Sequence, residues 1–412
     1  MDKELEYILG RGVAEVIVEE ELVRLLESGR KLRLKMGFDP SRPDIHLGHV
    51  VGIRKLRQFQ ELGHQVMLIV GDWTARIGDP SGESQTRSML SAEEVRANAE
   101  TYMQQFFKVV DREKTKIYWQ SEWFGNFTLA DVIGLTSRFT VAQLLAREDF
   151  SNRHSSGRPI AITELLYPLL QAYDSIVIEA DVEFGGIDQK FNCLMGRELQ
   201  KMMGQTPQQV FLMPLLVGTD GRQKMSKSLD NYIAIEDTPE DMYGKVMSIP
   251  DSLMMDYFEL LTDVPDEEID DFRKQIDSQS VNPMELKKRL AREIVGQFHG
   301  ADAAREAGYR FKKVMQLKEV PDEMPEISIK KIRDSSIGHI DILEEGQELC
   351  TASGVVLESG IFDSRSEVKR LIRQGAVEFD GKKLTEDKIP LKEGIIKVGK
   401  HRWVRIVDAD KK

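Results

Sequence analysis

Gly37-Phe38-Asp39-Pro40-Ser41-Arg42-Pro43-Asp44-Ile45-His46-Leu47-Gly48-His49 decides how the chain is read. Before it, Leu32 to Phe38 reads as a strand, one of a set mostly apolar on both faces; after it, Gly48 to Leu62 has helical periodicity. Strand, Gly-Pro turn and helix in that order form the first half of a β–α unit, and two imidazoles three residues apart share the helix's first turn. The amino end of a helix favours anions, histidines there can donate to phosphate oxygens, and Gly48 lets a flat group approach the backbone. A metal reading is weaker, since no third ligand stands nearby and the spacing matches no zinc signature. The expected metal site is none.

The unit repeats outward. Gln65 to Gly71, Lys114 to Trp119, Ser175 to Glu179 and Gln209 to Val217 read as further strands. Ser91 to Val110 reads as a helix opened by a capping box of Ser91 and Glu94. The alternation predicts an α/β fold, a Rossmann-type doubly wound parallel sheet, with its ligands at the carboxyl ends of the strands. From Thr238 the pattern turns helical, with N-caps before Pro239 and Pro283 and a stop at Gly300. Val320 to Gly338 carries Pro321, Pro325 and acidic clusters and reads as a linker. Leu357 to Val407 reads as one helix and short strands, with turns at Gly375, Gly381, Gly394 and Gly399. The expected division is a catalytic domain over 1–231, an all-helical domain over 232–320, a linker over 321–344 and a small α+β domain over 345–412.

A length of 412 residues with 41% hydrophobic and 31% charged content excludes a disordered chain and a small disulfide scaffold. Cys193 and Cys350 alone fit a reducing compartment, and neither a signal peptide nor a membrane span is legible, so the expected location is the cytoplasm. The formal charge is −12, yet residues 351–412 hold fourteen basic against ten acidic side chains. A basic tail on an acidic body points to a polyanion. In Ser364 to Arg373, Val368, Leu371 and Ile372 share a helix face, with Ser364 or Ser366 as its cap. Arg365, Lys369, Arg370 and Arg373 lie on the other face, suited to phosphates of a folded RNA.

Lys224-Met225-Ser226-Lys227-Ser228 follows the last strand and can bring two ammonium groups onto a polyphosphate. Together with the histidine motif it resembles the signature pair of class I aminoacyl-tRNA synthetases. Ile77 to Gly82, Leu166 to Asp174 and Gly185 to Asn192 are similar to the tyrosyl-tRNA synthetase family, in its bacterial branch with an intact lysine loop. The tail resembles the RNA-binding module first recognised in a ribosomal small-subunit protein.

The resemblance implies ATP-dependent ligation of L-tyrosine to tRNA(Tyr), through tyrosyl-adenylate, and a homodimer. It implies no DNA or membrane partner and no prosthetic group, with Mg²⁺ carried by the nucleotide. Tyr167, Gln171 and Asp79 would hold the α-ammonium, Gln189 would meet the carboxylate end, and Asp174 would accept from the phenol. Asp39, Pro40, Ser41, Gly48, Gly186, Asp188, Leu216 and Val217 would contact ATP or the activated carboxyl. His46, His49, Lys224 and Lys227 would grip its outer phosphates, with Arg87 as a further cation. Many relatives carry tyrosine at the position of Lys35, and lysine at that of Glu83. By strand alternation Lys35 points with Gly37 and Asp39, so its ammonium either nears the site or exits to solvent. Two readings compete: a tryptophan-specific relative, disfavoured by Asp174, and an RNA-binding protein built on a lapsed synthetase, disfavoured by the intact histidines and lysines.

Overall fold

The computed structural model describes residues 3–41, 44–80, 90–313, 324–335, 341–342, 348–362, 364–399 and 402–408. It divides into two compact units, Met1–Arg305 and Glu306–Lys412.

The first unit is built on a six-stranded sheet. Its strands are β1 (Glu15–Ile17), β2 (Arg33–Phe38), β3 (Gln65–Val70), β4 (Thr115–Trp119), β5 (Val182–Gly186) and β6 (Gln209–Met213), in the order β1-β6-β5-β2-β3-β4. β2 pairs in parallel with both β3 and β5, so the winding reverses beside it. That is where a doubly wound sheet opens a crevice for ligands. The inner strands are the most deeply covered: every residue of β6 is buried, and Phe59 meets Phe184 and Phe211 edge-on at 5.2 and 5.4 Å.

Two expectations are corrected here. Ser175 to Glu179 is not a strand: it closes the Ile162–Val177 helix, whose buried Leu169, Ala172 and Ile176 keep helical spacing through the β-branched run. The strand lies a few residues on, in β5, where Glu183 breaks the apolar pattern. The sheet is also not wholly parallel, because the short β1 adds an antiparallel edge to β6.

Beyond the sheet, helices Pro239–Ser248, Met254–Leu261, Asp266–Asp277 and Pro283–His299 follow with no intervening strand. Thr238 caps the first through the Asp241 N–H, Asn282 caps the last through the Met284 N–H, and Gly300 ends it at a φ of 86°. Arg11 ties this helical part to the amino terminus. It donates to the carbonyls of Phe258, Glu259, Thr262 and Val264 at 3.1, 3.0, 3.0 and 2.6 Å, serving the helix end and the turn after it.

The second unit holds a five-stranded and a three-stranded sheet. Its strands are β7 (Glu326–Ser328), β8 (Asp341–Ile342), β9 (Glu348–Cys350), β10 (Val377–Phe379), β11 (Lys382–Lys383), β12 (Ile389–Pro390), β13 (Gly394–Val398) and β14 (Arg402–Val407). The stretch read as a linker has structure where it is described: β7 pairs in parallel with β14, and Ile329–Asp334 is a helix. Elements this short show no periodicity. Gly375, Gly381 and Gly399 take positive φ at turns, whereas Gly394 opens β13, where a Cβ would stand 2.5 Å from Phe379.

Arg11→Met takes the guanidinium from four carbonyls, of which that of Phe258 keeps the Thr262 N–H and hydroxyl. It is expected to lower unfolding stability by roughly 2–4 kcal/mol, read from urea denaturation.

Candidate active site

The carboxyl ends of β2, β3, β5 and β6 surround one cavity of about 390 Å³, the size of a small-ligand site. Asp79, Tyr167, Gln171, Asp174 and Gln189 all line it. So do Asp39, Ser41, His46, Gly48, His49, Gly186, Asp188, Leu216 and Lys224. Pro40, Val217 and Lys227 are not among its lining residues. The Pro40 carbonyl accepts from Asn98, the Val217 carbonyl accepts from Tyr257, and Lys227 opens a turn of 3₁₀ helix. Arg87 and Glu83 lie outside the described residues.

The histidines cap their own helix. His46, the N-cap of Leu47–Glu61, accepts the Gly48 N–H on Nδ1 at 3.2 Å, and His49 Nδ1 accepts the His46 N–H at 3.3 Å. Both Nδ1 atoms are acceptors, so the ring protons sit on Nε2, which is left as a donor. The rings lie 3.9 Å apart. A Cβ at position 48 would press to 3.0 Å of the His46 ring, hence glycine. Burial depresses both pKa values, His49 to about 3 and His46 further, and the Lys227 ammonium adds to this. Both are neutral dipoles at working pH.

Asp39 stands beside them. Its Oδ1 accepts from Thr74 Oγ1 at 2.6 Å and its Oδ2 from Tyr167 Oη at 2.8 Å. A Cβ at Gly71 would come within 2.3 Å of the same carboxylate. Tyr167, Gln171 and Asp174 share a face of the Ile162–Val177 helix. Asp174 is 2% exposed and accepts from Gln120 Nε2 at 2.8 Å and Trp123 Nε1 at 3.2 Å. Burial pushes its pKa up to about 7, against the pull of Lys35.

A second carboxylate, Asp79, accepts from Gln189 Nε2 at 2.7 Å, and Asn192 Nδ2 holds Gln189 Oε1 at 2.9 Å. Arg147, buried, donates to Asn192 Oδ1 at 3.0 Å and lies 3.6 Å from Asp79. Next to Gln189 in the chain, Asp188 is paired with Lys224, Nζ lying 2.8 Å from Oδ2. A Cβ at Gly186 would meet that aspartate at 2.7 Å. Among the described residues, no group of three or more His, Cys, Asp or Glu side chains is placed to hold a metal ion.

Sequence reasoning missed Thr74, Gln120, Trp123, Arg147 and Glu183. Gln120 directly follows a strand recognised as such, so its position was a usable signal. Glu183 was hidden by the misplaced strand. Lys35 does not exit to solvent: it is fully buried against Glu183.

In the second unit, Val368 and Ile372 are buried inward while Lys369, Arg370 and Arg373 are exposed. Arg365 is half-buried. Ser364 is the N-cap, without a side-chain bond to the helix.

The family model for class I tRNA synthetases (W and Y) matches residues 27–316, and that for the S4 domain matches residues 355–394. Tyrosine–tRNA ligase of Dehalococcoides mccartyi (strain CBDB1) is 58% identical over 407 residues, covering 98% of this chain and 99% of that protein. Tyrosine–tRNA ligase of Moorella thermoacetica is 49% identical over 406 residues, covering 97% and 94%. The chain belongs to the tyrosine–tRNA ligase family of class I. In structure it is similar to tyrosyl-tRNA synthetase of Archaeoglobus fulgidus complexed with L-tyrosine, with a TM-score of 0.61 and 25% identity over 74% of this chain and 99% of that one.

For a tyrosine–tRNA ligase the state of Asp174 has a consequence. Its raised pKa keeps a large neutral fraction below about 7, and the ionised form is the better acceptor for a phenol. Tyrosine kcat/KM in pyrophosphate exchange is therefore expected to climb as pH rises through about 7. Asp174→Asn should abolish that step and lower kcat/KM roughly 10- to 100-fold.

Proposed function

We propose that the chain joins tyrosine to tRNA in two steps within this one cavity. The tyrosine phenol reaches the dry end, against Asp174. Tyr167, Gln171 and Asp79 surround the ammonium, and Gln189 turns to the carboxylate. ATP lies along Asp39, Ser41, Gly186 and Asp188 with its base toward Leu216, and Mg²⁺ would come with the nucleotide rather than from a cage of protein carboxylates.

The tyrosine carboxylate attacks the α-phosphorus in line. A carboxyl–phosphorus bond forms as the α–β bridge breaks, and pyrophosphate leaves with the electron pair. No side chain acts as nucleophile; position and charge carry the step. His46 and His49 donate from Nε2 to the departing phosphates, and Lys224 and Lys227 bring charge. Lys224 transfers to them when the ribose takes Asp188. In the second step the terminal ribose hydroxyl of the tRNA attacks the activated carbonyl and AMP departs.

The observation that carries this reading is that His46, His49 and Lys224 line the same cavity as the buried carboxylate of Asp174. Residues 1–231 supply that chemistry, 232–320 reach toward the anticodon side, and 345–412 hold tRNA through Arg365, Lys369, Arg370 and Arg373. A cytoplasmic homodimer completes the proposal. It is supported by Leu129, Ile133, Val141 and Ile162, which are 74, 58, 61 and 79% exposed.

Exchange of labelled pyrophosphate into ATP should depend on tyrosine; dependence on tryptophan, or no exchange with any amino acid, would overturn the reading. His46→Ala should slow exchange roughly 100- to 1000-fold while tyrosine affinity stays within about threefold. Arg370→Glu with Arg373→Glu should raise the tRNA KM in charging about tenfold or more and leave exchange unchanged.

A further inference from the structure

Beneath the amino-acid end of the cavity lies a buried ion pair to which the proposed mechanism gives no part. Lys35 of β2 stands in register with Glu183 of β5, at the place where the sheet's winding reverses. Their side chains are 0 and 2% exposed, and Nζ lies 2.8 Å from Glu183 Oε1. The other two ammonium hydrogens go to the Gln171 carbonyl at 2.7 Å and Ser175 Oγ at 2.8 Å. All three donors of Lys35 are thus used.

Glu183 is equally committed. Its Oε1 also accepts from Gln171 Nε2 at 3.1 Å, and its Oε2 accepts from Gln208 Nε2 and from Ser175 Oγ at 3.4 Å. A carboxylate has about four acceptor positions, and here four donors take them. Although Glu183 borders the cavity, it has no acceptor to spare for a ligand.

The orientation of Gln171 follows from this. A carboxylate paired with an ammonium only accepts, so the Gln171 carboxamide must turn its nitrogen to Glu183. The amide oxygen is then the end left for a ligand, and an α-ammonium, which only donates, needs an acceptor. The lysine grips the same residue a second time, through its backbone carbonyl.

We propose that Lys35 is a positioning residue for amino-acid recognition: through Glu183 it fixes the Gln171 carboxamide with its oxygen turned to the substrate ammonium. The inference rests on the proposed role of Gln171 in tyrosine binding. It assigns to the Lys35–Glu183 pair a polarity, donor below and acceptor above, that neutralisation alone would not require.

The test replaces both partners by apolar side chains of similar length, Lys35→Met with Glu183→Met, so that no charge is stranded. Gln208 keeps the Cys193 carbonyl as an acceptor. Tyrosine KM in pyrophosphate exchange is expected to rise about 10- to 50-fold, with kcat within about threefold and ATP KM within about twofold. The inhibition constant of 3-(4-hydroxyphenyl)propanoate, which is tyrosine without its ammonium, should not change. An unchanged tyrosine KM, or equal weakening of both ligands, would overturn the proposal.

Should the methionine pair fail to fold, the reversed pair Lys35→Glu with Glu183→Lys keeps the attraction and inverts what Gln171 sees. It should weaken tyrosine and spare the analogue, whereas full recovery of tyrosine KM would mean that the pair only balances charge. Absence of tyrosine-dependent exchange in the parent protein would overturn the functional reading itself, a result distinct from either.

Discussion

The parallel ladder that joins β2 to β3 on one side and β5 on the other is the constraint on which the rest of the site depends. Parallel strands direct all their carboxyl ends one way, so the residues that follow each strand meet even when far apart in the chain. Asp39 follows β2, Gly71 follows β3, Gln120 follows β4, Asp188 and Gln189 follow β5, and the lysine loop follows β6. Beside β2 the helices depart to opposite sides and leave room for a ligand. The site is first a consequence of strand direction and only second of individual side chains.

Within that frame the chemistry is divided by rigidity. Burial and a reciprocal cap hold the two histidines as fixed, neutral donors, which in the role proposed for them leaves little reorganisation for the moment of reaction. The lysines are built differently. Lys224 is 42% exposed on a loop and is held by Asp188, a carboxylate that a ribose can claim. Fixed dipoles with exposed charge beside them suit a reaction whose leaving group carries several negative charges. At the amino-acid end the priorities reverse: Asp174 is kept dry and held by Gln120 and Trp123, which favours discrimination over adaptability.

Much of this was legible in the chain because covered parallel strands are written as continuous apolar runs, and because proline and capping residues mark helix starts. Both histidines and the lysine loop stood out by their place after strands; the family resemblance picked out the Tyr167–Gln171–Asp174 stretch, and helical spacing put its three side chains on one face. What escaped has a common cause, polarity satisfied inside the protein. Glu183 sits mid-strand and is tolerated there only because Lys35 lies across from it, a partner 148 positions away in the sequence. Arg147 escaped for the same reason: its charge is met inside the protein by Asp149 at 2.9 Å, and it also donates to Asn192. β1 and β7 were missed because three residues carry no periodicity.

The proposal comes down to one claim: a single crevice beside β2 receives an aromatic amino acid near Asp174 and a nucleotide near His46, His49 and Asp188. The most direct measurement is a crystal structure of the full chain with a non-hydrolysable tyrosyl-adenylate analogue. The account predicts the phenol oxygen against the Asp174 carboxylate, the ribose at Asp188 in place of Lys224, and the linkage between acyl and nucleoside parts beside Asp39. An analogue seated elsewhere, or lying in the crevice with its ends exchanged, would contradict it.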